Sequence, residues 1–491
     1  MRTWLVMVAL LTGWAFAQPW PASTPEEQGF DAGKLADAVL TMRERSIDIH
    51  SLLLMRHGAV FVDASFYPYD GTTVHEVASV TKSVMTTLVG IAAEQRKLDL
   101  DAPMLSFFPD REVAHLDARK ERITVRHLVS MASGLECTAA NDEQTLKEMQ
   151  AAPDMVQFTL DRRMAAEPGT TFVYCSPGMH VLSAIVQKAT GMTALAFARA
   201  NLFEPLGIEE VLWNADAQGH NWGWSNLYLH LQDMAKLGQL WLQQGQWQGR
   251  QIVSPSWVAA SVASQMDVPG DDDDYGYGWW VSPGEPPSFY AMGRGGQRIV
   301  VVPAWNLVVV TTGGGLDWDE IEPLLTSAVV DLEHPLPADP TGTARLREAV
   351  AAVATAPAPK PVAAFPAMAR EISGRTYVFD TNPLGITALA LEFGTGDEGR
   401  MQIVLTGAEG PQVWPIGLDG VYRMSQGPYG LPQGLRGSWL DERTFAFEYD
   451  NIANNDHLLY RLHFDGDRVV MEGRETAHEL GARFEGHAEH R

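Results

Sequence analysis

Residues 335–366 turn to proline and alanine, with Pro357-Ala358-Pro359-Lys360-Pro361 at the centre. A semi-rigid stretch of this kind interrupts any continuous core, so the 491 residues must fold as units on either side of it. Its only expected regular element is a short helix at 345–353. The division predicted is a leader at 1–17, a first domain at 18–334, a Pro/Ala-rich linker at 335–369 and a second domain at 370–491.

The two sides carry different hydrophobic periods. On the N-terminal side, 32–45 reads as a helix, and 51–57 with 59–66 reads as a hairpin turning at His57-Gly58. From Ser79 to about Gly245 the pattern is mainly helical. Strand signals return at 275–281, 288–292, 298–302 and 306–312, separated by Pro and Gly, and 318–332 reads as a closing helix. This order predicts an α/β (α+β) unit: one antiparallel sheet flanked by helices, with the long helical insertion as a second lobe and a cleft between them. Beyond the linker, 377–393, 401–406, 444–449, 457–464 and 468–472 have strand length, which predicts an all-β sandwich or barrel.

The formal charge is −25 and no Lys/Arg cluster offsets it, which argues against nucleic-acid partners. With 46% hydrophobic residues and 15 Trp, the chain is far from the composition of a disordered acidic protein. Met1-Arg2 followed by an apolar run at 3–16 and by Ala15-Phe16-Ala17 predicts a secretory signal peptide cleaved before Gln18. The run is too short to span a bilayer, so no stable membrane insertion is expected after cleavage, and the location expected is secreted or periplasmic. Only Cys137 and Cys175 are present. In an oxidising compartment they can bridge; as two small buried hydrophobes they need not, and both readings stay open.

Three elements carry chemistry. Ser79-Val80-Thr81-Lys82 opens a buried helix whose apolar positions are Val84, Met85, Leu88, Ile91 and Ala92. Ser79 and Lys82 then share the first turn, close enough for the amine to take the hydroxyl proton, unless Ser79 is only an N-cap and Lys82 is solvated. Tyr174 stands where an extended segment meets a helix beginning at Ser176-Pro177; it can reach a cleft or sit in the core. Arg294-Gly295-Gly296-Gln297 lies between two strands, where glycines admit close backbone approach and Arg294 offers a permanent cation matched to carboxylates. The Asp271 to Asp274 run reads as a solvated acidic turn. No Gly-x-Ser-x-Gly or His-Glu-x-x-His is present, and neither a metal nor a cofactor is expected.

Together these elements resemble the penicillin-recognising serine hydrolases: class C-type serine β-lactamases, DD-peptidases, β-lactamase-like esterases and aminohexanoate-dimer hydrolases. Ile123-Thr124-Val125-Arg126-His127-Leu128, Gln251-Ile252-Val253-Ser254-Pro255 and Tyr275-Gly276-Tyr277-Gly278-Trp279-Trp280 extend the resemblance over about 28–333. It implies Ser79 as the acylated nucleophile, Lys82 as its base and Tyr174 as proton relay. It also implies an oxyanion hole from the Ser79 and Gln297 N–H groups, with Ser176, Arg294, Gly295 and Gly296 facing the substrate. Ser176 replaces the family's Asn, and Arg294-Gly295-Gly296 its Lys-Thr-Gly, which speaks against efficient β-lactam hydrolysis. Tyr449-Asp450-Asn451 matches Tyr-x-Asn literally, but it lies in the second domain and is read as coincidence. The expected substrate is a small molecule or short peptide, with a carboxylate for Arg294 to hold. The alternative implied is a catalytically silent homologue that binds cell-wall peptide.

Overall fold

A computed structural model describes residues 20–137, 142–394, 396–408, 410–476 and 481–489. The expected leader at 1–17 lies outside the described residues.

The first unit is built on a seven-stranded sheet. Its strands are β1 (Ile49–Arg56), β2 (Ala59–Ser65), β3 (Asp274–Tyr275), β4 (Trp280–Ser282), β5 (Ser288–Gly293), β6 (Gln297–Val302) and β7 (Leu307–Gly313), ordered β2-β1-β7-β6-β5-β4-β3 and all antiparallel. β1 lies inside the sheet and is buried along its whole length, so its Leu52 to Met55 run packs on both faces. Leu52 and Leu54 pack outward with Val300 and Val309 beneath α1 (Ala32–Glu44). Leu53 and Met55 pack inward, with Val308 and Val310, against the helical lobe. That lobe is organised by α2 (Val80–Glu94) and α3 (Ser176–Thr190), and α4 (Leu231–Leu242) lies across β6 and β7.

Some boundaries differ from the sequence expectation. The strand expected at 275–281 is broken into β3 and β4 because Gly278 adopts φ +79° to clear Thr86, whose Oγ1 would lie 2.2 Å from any Cβ there. The closing helix is shorter, α5 (Trp318–Thr326). Much of the Pro/Ala stretch is packed structure: α6 (Pro340–Ala354), capped by Asp339, sets Leu346, Ala349 and Val353 into the outer core beside α1. Alanine's high helix propensity and a Pro at the first helical position account for the added turns.

Among the described residues, ten strands from Thr376–Phe379 to Gly481–Ala488 form the C-terminal unit. Neighbours are antiparallel, the first strand pairs with the last, and the Gly417↔Arg436 bridge closes an all-β barrel around Leu389, Phe445, Leu462 and Phe464. The single strand expected at 377–393 is interrupted because Asn382 Oδ1 accepts from the N–H groups of Leu384 and Ile386 and turns the chain. The barrel docks on the first unit. Leu431 and Ala453 cluster with Val74 and Tyr228, and Tyr67 Oη accepts from the Tyr422 N–H at 3.0 Å.

Candidate active site

α2 begins against β5, an interior strand of the sheet. Ala78 has φ +46°, unusual for a residue with a Cβ, and Ser79 follows as the helix N-cap without spending its hydroxyl on a cap bond. Lys82, one turn on, is 1% exposed. Its Nζ lies 2.7 Å from Ser79 Oγ and 3.2 Å from the Trp224 carbonyl oxygen. The solvated-lysine reading of Ser-x-x-Lys is therefore excluded: the pair is formed, and the half-buried Ser79 is its open end.

Tyr174 flanks this pair, with Lys82 Nζ 4.6 Å from its ring centroid. The ring stacks on Trp280 at 6.1 Å and meets the edge of Tyr275, whose fully buried phenol is pushed well above its ordinary pKa by desolvation. Ser176, nearly fully buried, is the first residue of α3, and Cys175 is its N-cap. Cys175 is bonded to Cys137 in the structure, so a cross-link joins the Tyr174 junction to the loop below it.

The third wall is the turn from β5 to β6. Gly293 lies so close to the nucleophile's turn that a Cβ would stand 2.6 Å from the Val77 carbonyl oxygen and 2.9 Å from Ser79 N. The following Arg294-Gly295-Gly296 turn needs φ +82° at Gly295. The Gln297 side chain braces it, donating to the carbonyl oxygens of Arg294 (3.1 Å) and Gly313 (2.6 Å) and accepting from the Gly313 N–H at 3.2 Å. With its side chain so used, Gln297 can serve a reaction only through its main chain.

Arg294 was expected to offer its cation to a substrate. Instead its Nη2 lies 2.7 Å from Asp456 Oδ1 and also bonds Asn455 Oδ1, both from the C-terminal barrel. Asn455 Nδ2 in turn donates to Glu76 Oε2 at 2.6 Å, three residues before Ser79. Glu76 Oε1 accepts from the Asn226 N–H at 2.7 Å, and burial raises the Glu76 carboxyl to about 7. Sequence reasoning missed Glu76, Asn455 and Asp456. The available signal was the polar run Asn454-Asn455-Asp456 between two strands. It reaches the site through its last two residues, and Tyr449 of the neighbouring Tyr-x-Asn match turns instead to Gln433.

The geometry thus gathers Ser79, Lys82 and Tyr174, with Gly293 as the point where the β5–β6 turn meets Ser79, while Ser176 is buried at the start of α3. A hydroxyl beside a buried amine can attack a carbonyl, and N–H groups at a helix start and a strand turn can bind the oxyanion that forms.

The description Beta-lactamase fits residues 41–324 by family model. Esterase EstB of Burkholderia gladioli is 28% identical over 210 residues, 38% of this chain and 53% of that protein. The match thus spans about half the esterase's length. The 6-aminohexanoate-dimer hydrolase of Paenarthrobacter ureafaciens is 22% identical over 310 residues, 59% of this chain and 78% of that protein. The octameric penicillin-binding protein homologue from Pyrococcus abyssi shares the fold at TM-score 0.51 and 18% identity, covering 92% of this chain and all of that one.

Proposed function

The chain belongs to the Beta-lactamase family of serine hydrolases, whose model covers more than half of it, and from that premise we propose that it cleaves a carboxylic ester or amide through an acyl-enzyme on Ser79. The observation that carries the reading is the 2.7 Å contact between Ser79 Oγ and Lys82 Nζ, with Lys82 sealed from solvent.

Lys82 accepts the hydroxyl proton as Ser79 Oγ attacks the carbonyl. The oxyanion is held by the N–H groups of Ser79 and Gln297, an interaction worth about 3–4 kcal/mol per donor. Tyr174 passes a proton to the leaving alcohol or amine, which departs as the acyl-enzyme forms. Water then attacks the acyl carbon, loses its proton to the same base system, and releases the acid with Ser79 restored. Esterase and amide-hydrolase relatives support both bond classes.

We place this activity outside the cytoplasm. The leader expected at 1–17 and the paired Cys137 and Cys175 support that compartment. The test is a panel of purified-protein turnover assays on p-nitrophenyl esters, short amides, D-amino-acid peptides and a chromogenic cephalosporin. Ester or amide turnover that disappears in Ser79→Ala is expected; no turnover in any arm would favour the silent cell-wall-binding alternative.

A further inference from the structure

The Asn451 to Asp456 turn comes from the barrel, yet its side chains end on the first unit's site. Asn455, 2% exposed, bridges Arg294 and Glu76, and its Cβ lies 2.6 Å from where a Cβ on Gly295 would stand. The turn is held from several directions. The Glu76 N–H donates to the Ala453 carbonyl oxygen at 2.9 Å, the Asn451 N–H donates to the Asp456 carbonyl oxygen at 3.1 Å, and the next residue, His457, bonds Asp48 of the first unit. Nothing in this arrangement resembles a loose loop resting on a surface.

Asp456 ends this support. Its carboxylate meets the Arg294 guanidinium at 2.7 Å, and the pair stays partly open to solvent, with side chains 29% and 40% exposed for Arg294 and Asp456. A free arginine beside a nucleophile would select anions. Here a carboxylate of the same chain occupies that arginine, and the buried Glu76 lies behind it. An incoming carboxylate must therefore displace Asp456 or sit against a like charge, and either costs affinity.

We infer that Asp456 is a specificity-determining residue: the barrel inserts it as a built-in occupant of the Arg294 anion site, so the enzyme rejects substrates bearing a carboxylate there and takes neutral or cationic ones. This rests on the proposed Ser79 hydrolysis and adds to it the charge class of the substrate. It also gives the barrel a role that reading left open, as the source of a substrate filter.

The test compares two isosteric esters, 3-butyryloxybenzoate and 3-butyryloxybenzamide, which differ by one negative charge. The readout is the ratio of kcat/KM for the anion to kcat/KM for the amide, in wild type, Asp456→Asn, Asp456→Ser and the double variant Asp456→Asn/Arg294→Gln. The ratio is expected to lie below 0.1 in wild type, to rise at least tenfold in either single variant, and to fall back in the double variant as the guanidinium is lost. A role confined to anchoring the barrel would lower both rates together. A ratio that moves less than twofold in both single variants, or rises equally in the double variant, overturns the inference. Loss of Ser79-dependent turnover of the amide ester in wild type would instead sink the hydrolase reading, so the two failures are distinguishable.

Discussion

His457 offers the most quantitative test of how the barrel is fixed to the first unit. Its Nδ1 lies 3.0 Å from Asp48 Oδ2 across the domain boundary, and its Nε2 lies 3.5 Å from Glu448 Oε2. Burial alone would lower its pKa, but two facing carboxylates outweigh that, and the imidazole is raised from 6.5 to about 10. Asp48 is correspondingly held far below the carboxylate range despite its burial, by His457 and His50. At about 1.4 kcal/mol per tenfold change in proton affinity, the raised imidazole is worth about 5 kcal/mol to the folded state. Because the folded pKa is the higher one, this stability is fully present below pH 6.5. It declines by about 1.4 kcal/mol per pH unit above that and is gone by about pH 10. Replacing His457 with Gln removes the titrating group while keeping a polar side chain. Unfolding of wild type and His457→Gln should be followed by calorimetry or denaturant between pH 6 and 10. The two stability curves should lie farthest apart near pH 6 and converge as pH approaches 10. Parallel curves, or a gap that widens with alkali, would refute the assignment of a charged His457 bridging Asp48 and Glu448.

Three further outcomes follow from the site. Gly293→Ala places a methyl against main-chain atoms of Val77 and Ser79 that cannot swing away. Either β5 or the nucleophile's turn must shift, so kcat on an ester substrate should fall by about 100-fold and the melting temperature should fall with it. Tyr174→Phe keeps the stack on Trp280 but removes the hydroxyl, and kcat should drop about 10² to 10⁴-fold in the same assay. Cys175→Ser opens a cross-link between residues 38 apart, costing about 4 kcal/mol by loop-closure entropy. Its melting temperature should fall, and reductant should bring wild type down to the same value while leaving the variant unmoved.

The first unit was readable because each central strand and helix repeats a strong local pattern. β1 carries the apolar run Leu52 to Met55, and α2 carries its period from Val84 to Ala92. Ser79 and Lys82 are three positions apart, about one helical turn, so their meeting needs no tertiary information. The misreadings have local causes as well: Gly278 and Asn382 bend segments whose hydrophobicity alone reads as continuous strand. What the sequence could not disclose is the pairing of Arg294 with Asp456, 162 residues away. No periodicity reports which charge a distant loop will bring to a site, so Arg294 reads as a free cation until the barrel is placed. Glu76 is hidden for the same reason, since its neighbours Asn226 and Asn455 come from separate parts of the chain.

The central claim is that Ser79 becomes acylated. Intact-mass spectrometry after exposure to an acylating fluorophosphonate, followed by peptide mapping, tests it most directly. One adduct per chain, mapped to Ser79 and absent in Ser79→Ala, is the result expected. An adduct on a different residue, or none at all in protein that is turning over ester, would contradict the account.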